Sequence, residues 1–497
     1  MTVNSLPDSI FLEIFALCLS STFSDNRYTI TTSTSASRHA EEWQRLVQVC
    51  KRWQQIIYGS PRYLDLHLHC SIATPFKENL TRWPEFPLTI DHIIHPDDED
   101  SNVDDLIASL EQPGRVHFID LMIVTPYSRA DEVLEKMKVP FTALTHLNLV
   151  GPDQEDDPKG TVLPPGFLGG SAPCLQHLRF NAVNATLFQE LRMLLLSARG
   201  LVSLQLEDIP DGFGYISPEA IVGGLAGLTK LKTLSITFRS PEDAPDSNEG
   251  LEHRKRPEPS MRTVLPALTE FVFRGESVYL EDIVARIDMP CVEDIKIDYF
   301  PPGAEAHELS QFISRTERLC LAQFRHAEVC LRVGDANIHI KLDRARGEHL
   351  QFRFSLGMTI SDPDGRYPDL DYMVTCMGRV FNQLTALLSY VDHVSFTGLK
   401  GWNERSNRLD NSKLLPVLHL FPAVEALHVS GVFLEPIAAV LENIDEGRVS
   451  EVMPVLRSLQ LDDGDGPVGS TNRFLSLRQL SGHPVAVVNT NTQDEVE

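Results

Sequence analysis

The side chains with the clearest capacity for chemistry are histidines and carboxylates. Asp91, His92, His95 and Asp97 form one cluster of metal-ligating types. Their spacing is loose, and the stretch reads as a strand running into an acidic loop, so solvated side chains are expected there and no metal. No Walker loop, glycine-rich dinucleotide turn or nucleophile elbow occurs in the chain. No catalytic residue and no cofactor are therefore expected. His146, His177, His393 and His428 are placed differently, because each lies inside a short apolar pattern that recurs along the chain.

The pattern is an apolar residue, two variable ones, an apolar residue, one variable, and an apolar residue. It occurs at Phe118-Leu121-Ile123, Leu144-Leu147-Leu149, Leu175-Leu178-Phe180, Leu201-Leu204-Leu206, Leu231-Leu234-Ile236, Leu268-Phe271-Phe273 and Val292-Ile295-Ile297. It returns at Val391-Val394-Phe396, Val424-Leu427-Val429 and Leu456-Leu459-Leu461. First residues of successive units lie 26, 31, 26, 30, 37 and 24 apart up to Val292, and 33 and 32 apart in the last three. Such a period, with helical stretches such as Thr186 to Ser197 and Pro218 to Leu225 between the units, predicts a leucine-rich-repeat solenoid of the longer kind. The Asn that usually closes the strand turn is mostly missing, so the repeats are degenerate and the curvature irregular.

Strand side chains alternate, so residues between the buried apolar ones face the concave side. That set is His146, Asn148, His177, Arg179, Gln205, Glu207, Glu270, Arg274, Lys296, Asp298, His393, Ser395, His428 and Ser430. A solenoid binds through this face. Its mixed signs specify no ligand charge, and each residue taken singly reads as an ordinary solvated strand position; it is as a set that the face points to binding.

Two segments interrupt the repeat. Residues 240–263 are polar, Pro-rich and charged, and predict an exposed loop. Residues 327–356 carry three alternating runs, Val329-Leu331-Val333, Ile338-Ile340-Leu342 and Leu350-Phe352-Phe354, and predict an inserted β-meander. A long apolar helix over about Leu370 to Tyr390 follows it. The tail, 481–497, is expected to be disordered.

The front of the chain has a different character. On a helical wheel, Ile10, Phe11, Leu12, Ile14, Phe15, Leu17, Cys18 and Leu19 fill an arc of roughly 220°, against the ~100° a surface helix needs to meet one core. Such a helix must be covered from two directions, one being its own domain and the other the rest of the chain or a second protein. Ser5, Pro7 and Asp8 mark its start. A second amphipathic helix is predicted over Glu41 to Tyr58, with Trp43, Leu46, Val47, Cys50, Trp53 and Ile57 on one side.

Leu6-Pro7, Ile10, Leu12-Glu13-Ile14-Phe15 and Leu46-Val47-Gln48-Val49-Cys50-Lys51-Arg52-Trp53, in this order and spacing, resemble an F-box. The continuation Ser60 to Leu66 and Trp83-Pro84 is similar to F-box proteins with leucine-rich repeats that abound in mushroom-forming fungi. The chain departs from that family in its Ser- and Thr-rich insert, Ser20 to Ala40. The resemblance implies a small helical F-box module over 1–66 and a solenoid over 67–480, an α/β chain overall. It implies docking on a Skp-type adaptor of a cullin–RING ubiquitin ligase through Leu6, Pro7, Ile10, Ile14, Phe15, Val49, Cys50 and Trp53, with the solenoid holding an unidentified target. On periodicity alone, the same helices equally form a cap sealed against the first repeats, which would leave an interaction scaffold without ligase function. A third reading is a small-molecule receptor with its pocket on the concave face.

Composition narrows the partners. Lys and Arg number 44 against 69 Asp and Glu, a formal charge of −25. This argues against nucleic-acid binding and against anionic membrane surfaces. Eight scattered cysteines without a CxxC pair read as reduced, buried thiols of the cytosol or nucleus. The N-terminus has no basic flank, and no apolar run reaches about 18 residues, so neither a signal peptide nor a membrane span is expected.

Overall fold

The computed structural model describes residues 6–20, 42–61, 63–64, 66–70, 80–81, 83, 86–95, 100–124, 129–152, 161–184, 188–209, 217–239, 262–300, 307–321, 323–332, 337–343, 353–359, 370–398, 411–462 and 471–488. The expected insert between Ser20 and Ala40 and nearly all of the polar loop 240–263 lie outside the described residues. The fold is mixed α/β with mostly parallel strands. The chain divides into two compact units, Met1–Gly214 and Tyr215–Glu497. The N-terminal helices therefore share a unit with the first strands, and no division falls at residue 66. No described helix is long and apolar enough to cross a membrane.

The first unit begins with α1 (Asp8–Ser20), α2 (Glu42–Val47) and α3 (Lys51–Tyr58). The continuous helix expected over 41–58 is interrupted. Its last turn tightens to the bonds Gln48 N–H to Arg45 O and Val49 N–H to Leu46 O, and Cys50 is fully extended before α3 starts. Strands β1 (Leu68–Cys70), β2 (Leu88–Ile94), β3 (Val116–Ile123), β4 (His146–Val150), β5 (Thr161–Val162), β6 (His177–Asn181), β7 (Val183–Asn184) and β8 (Ser203–Ile209) follow, with α4 (Asp100–Leu110), α5 (Ala130–Lys136) and α6 (Phe188–Ser197) between them. β1, β2, β3, β4, β6 and β8 lie side by side in that order, all parallel, and β5 pairs with β7 separately.

The recurring apolar unit builds β3, β4, β6 and β8. Its first residue closes a turn, as in the bonds Leu144 N–H to Phe141 O, Leu175 N–H to Ala172 O and Leu201 N–H to Ala198 O. Its second and third residues are buried on one side of the strand. Leu147, Leu178 and Leu204 are register partners, and so are Leu149, Phe180 and Leu206. In β3 the unit starts at Val116, not Phe118. Val116, Ile119, Leu121 and Ile123 are buried, while Phe118 is half-exposed on the other side. In β2 strict alternation buries Leu88, Ile90, His92 and Ile94. His92 therefore points away from Asp91, so these two do not share a site; Asp97 lies outside the described residues.

The second unit opens with α7 (Pro218–Leu225), whose first turn is capped by Ser217 accepting from Ala220 N–H at 3.2 Å. Then come β9 (Thr233–Phe238), β10 (Thr263–Val264), β11 (Glu270–Glu276), α8 (Ser277–Arg286), β12 (Ile287–Asp288), β13 (Asp294–Phe300), α9 (His307–Arg315) and α10 (Glu317–Cys320). They are followed by β14 (His326–Arg332), β15 (Asn337–Asp343), β16 (Arg353–Thr359), α11 (Leu370–Gln383), α12 (Thr385–Leu388), β17 (His393–Gly398), α13 (Asn411–His419), β18 (Ala426–Ser430), α14 (Leu434–Glu442), β19 (Ser458–Asp462), α15 (Asn472–Leu480) and β20 (Ala486–Val488). The sheet runs β9-β11-β13-β16-β15-β14-β17-β18-β19-β20.

The meander is present, and it enters in reverse: β16 pairs with β13 and β14 with β17, both parallel, while β15 is antiparallel to each of its neighbours. Three strands are an odd number, so both outer strands keep the direction of the parallel sheet and the ladder continues on either side. The helix expected to Tyr390 is interrupted at Leu384, between α11 and α12. The tail also differs from expectation. Val485 to Val488 is its apolar part, and β20 pairs with β19 there; residues 489–497 lie outside the described ones. The thiols divide as well: Cys70 and Cys376 are buried, whereas Cys18, Cys50 and Cys174 are exposed. Burial of the first two follows from their positions on inward strand and helix faces.

Glu281, on α8, is buried at 8% exposure. Its Oε2 accepts the Leu309 N–H at 3.0 Å, at the start of α9. Burial pushes its carboxyl up from 4.5 to about 8, against the opposing pull of the amide donors. A carboxyl raised in the folded state contributes most below its ordinary value and loses that contribution as pH climbs to the folded value. Glu281→Gln keeps the acceptor and removes the titration. Its melting temperature should exceed that of the parent by a margin that widens from about pH 4.5 to about 8, measured by thermal unfolding across that range.

Candidate functional site

The wide apolar arc of α1 divides into two faces. Phe11 and Phe15, one turn apart, are fully buried. Their rings lie 5.9 and 4.8 Å from the half-buried Trp53 of α3, both edge-on. Arg52 clamps the two helices at their starts: its guanidinium donates to the Leu6 carbonyl at 2.6 Å and to Asp8 Oδ1 at 2.6 and 3.1 Å, and lies 4.9 Å over the Phe11 ring. Tyr63 donates to Glu13 at 2.7 Å. At its far end α3 packs Tyr58 against Trp83 and Phe86, at 4.2 and 6.0 Å.

The other face of α1 is exposed. Ile10, Ile14 and Leu17, spaced i, i+4 and i+7, are 43%, 39% and 70% exposed. Val49 and Cys50, at the break before α3, are exposed. Of the eight residues expected to dock a partner, Pro7, Ile10, Ile14, Val49 and Cys50 are exposed, and Leu6 and Trp53 are half-buried. Phe15 is not on that surface: the i, i+4 stack with Phe11 turns it into the interior. Leu17 belongs to the stripe, and its helical spacing from Ile10 and Ile14 is the signal that marks it.

The second candidate surface is the polar face of the sheet. In the first unit His146 and His177 are register partners, and their rings stack at 4.3 Å and 12°. Phe118 joins the same row, 5.5 Å from His146; the corrected β3 register reveals it. Burial lowers the His177 ring's basicity. The next row runs Asp91, Asp120, Asn148, Arg179 and Gln205. Asn148 donates to Asp120 at 2.8 Å, and Arg179 pairs with Glu207 at 2.7 Å. Burial raises both Asp91 and Asp120, and the charge of Asp91 raises Asp120 further.

In the second unit Lys296 pairs with Glu270 at 2.9 Å and Asp294 at 3.2 Å, and Arg274 is in register with Asp298. Across β17, β18 and β19, Ser395 Oγ lies 2.9 Å from His428 Nδ1, and His428 Nε2 lies 2.6 Å from Asp462 Oδ2. Ser430 is the register partner of Asp462. A hydroxyl, an imidazole and a carboxylate in line can pass a proton. Acyl transfer would also need donors aimed at an oxyanion. Here Ser395 sits mid-strand between two parallel ladders, and Glu328, its register partner, sets a carboxylate beside it. The arrangement suits hydrogen-bonded recognition better than nucleophilic attack.

Scanned against protein-family models the chain matches none, and no curated protein matches it.

The division of α1 into a sealed and a bare face is checked by local stability. Phe15→Ala should lower the free energy of opening α1 by about 3–5 kcal/mol, whereas Leu17→Ala should change it by no more than about 0.5 kcal/mol. Amide hydrogen exchange across α1 measures both.

Proposed function

We propose that the chain is a substrate-recruiting subunit of a cullin–RING ubiquitin ligase. In this reading α1 to α3 form an F-box-like module that holds a Skp-type adaptor. The strand–helix units form an irregular leucine-rich-repeat solenoid that holds a target protein on its polar face. One observation carries the reading. A short helix whose inner face is already filled by Phe11, Phe15 and Trp53 leaves Ile10, Ile14 and Leu17 as an apolar stripe in water. A contiguous apolar row of this kind marks an interaction surface, and the sequence order around it resembles the family that uses such helices. The ligase chemistry would then come from proximity of target and loaded ubiquitin carrier, with no reacting group from this chain.

A sealed cap on a non-ligase scaffold accounts for Phe15 but not for the stripe. The two readings part on one measurement. Purified chain is mixed with a purified Skp-type adaptor and followed by calorimetry and size exclusion. Complex formation is expected, and Ile10→Asp with Ile14→Asp should weaken it about 30-fold or more, since each places a charge in a desolvated contact. The double variant should keep its melting temperature, because both sites are exposed. Absence of complex, or equal affinity of the double variant, rejects the ligase reading and leaves the sheet face as the interacting surface.

A further inference from the structure

Two histidines and an aspartate that lie far apart in sequence meet where β14 and β17 begin. His326 and His393 are register partners on these neighbouring parallel strands, and their ring centroids are 4.9 Å apart. Asp392 precedes His393 and turns its carboxylate onto that ring, with Oδ1 2.7 Å from Nδ1. One nitrogen of each ring and one oxygen of Asp392 all lie within 4.8 Å of one another. We propose that His326, Asp392 and His393 bind a divalent transition-metal ion of the zinc class, leaving a fourth position open to solvent or to a partner's side chain.

The chemistry of the donors selects the ion. Two imidazoles and one carboxylate favour borderline ions such as Zn²⁺ over Mg²⁺ or Ca²⁺, which prefer all-oxygen shells. In a tetrahedron with bonds of about 2.0 Å, neighbouring ligand atoms sit about 3.3 Å apart. The separations here start at 2.7 Å and reach no more than 4.8 Å, so they bracket that value. Closing the shell needs side-chain rotation in which the His393–Asp392 hydrogen bond gives way to the ion, and the His393 side chain is 56% exposed.

The backbone beneath is fixed. Asp392 N–H and His393 N–H both donate to the Arg325 carbonyl at 3.0 Å, which ties the start of β17 to the residue before His326. Arg325 Nη1 donates to Asp392 Oδ2 at 2.9 Å and so orients the carboxylate while Oδ1 faces the rings, as an outer-shell partner does. Asp343, the register partner of His326 on its other side, is held by Lys341 at 2.8 Å and is not counted as a ligand. The proposal uses neither the adaptor nor the target of the preceding section.

The test uses the full chain with Cys18, Cys50 and Cys174 changed to Ser, so that exposed thiols do not compete. Metal-free protein is titrated with ZnCl₂ and, separately, MgCl₂ by calorimetry, and thermal unfolding is followed with each. One zinc ion per chain should bind with a rise in melting temperature, and Mg²⁺ should do neither. His326→Ala and His393→Ala should each weaken zinc binding at least tenfold. Co²⁺ should give visible bands of a tetrahedral site in the parent and lose them in His393→Ala. If His326→Ala fails to fold, the exposed His393 and its Ala variant decide alone. Zinc binding of equal strength in the parent and in His393→Ala, or no saturable site in the parent, overturns the assignment.

Discussion

A strand can bury only every second side chain, and a parallel ladder forces neighbouring strands to agree on which ones. Leu147, Leu178 and Leu204 agree in the first unit, as do Leu427 and Leu459 in the second. Each apolar unit is too short to make a core alone. Stacked in register within a compact unit, with helices such as α8 and α14 of the second supplying covering side chains, the strands make a shared core. A one-residue slip in any strand would bring its polar row inward, so the hydrophobic ladder fixes the polar face as firmly as it fixes the core.

That face then has to satisfy itself. Parallel sheets are usually covered on both sides, yet here charged and polar residues of one face stay half-exposed. They meet each other across strands, Arg179 with Glu207, Lys296 with Glu270, and His428 between Ser395 and Asp462, or along one strand, as Lys341 with Asp343 on β15. Such pairs contribute little individually in water. Their weight lies in holding side chains in set positions. The inserted meander respects the same constraint. Its two outer strands preserve direction, and its reversed order places β14 beside β17, where His326 meets His393.

The helical front end works under a different limit. Aromatic stacking of Phe11 and Phe15 on Trp53 uses the shortest inward arc that holds α1, and the Arg52 clamp fixes the helix pair by its ends. A helix with apolar residues around more than half its circumference therefore keeps the remainder in water. The interruption at Cys50 adds to that exposure, since a single straight helix would have turned Val49 and Cys50 along the same side as Trp53.

Periodicity determined much of this protein by itself. The strands that carry the recurring unit, the α7 helix, the meander and the polar residues of the sheet face are legible, because a two-residue alternation and a recurring apolar unit are local properties of the chain; β5, β7, β10, β12 and β20 carry no such unit and were not. The position of the β3 unit was not, since Val116, Phe118 and Ile119 are all apolar and only pairing with β2, in which the β3 register skips His117 opposite Leu88–Thr89, settles which of them face inward. Tertiary packing alone decided which half of the α1 arc is sealed: the wheel contains Phe15 and Ile14 alike, and the stack with Trp53 separates them. It also decided that Asp462 completes a line with Ser395 and His428, and that His326 joins Asp392 and His393. Those groups come from different turns of the fold, and no spacing along a chain encodes a distance across a sheet.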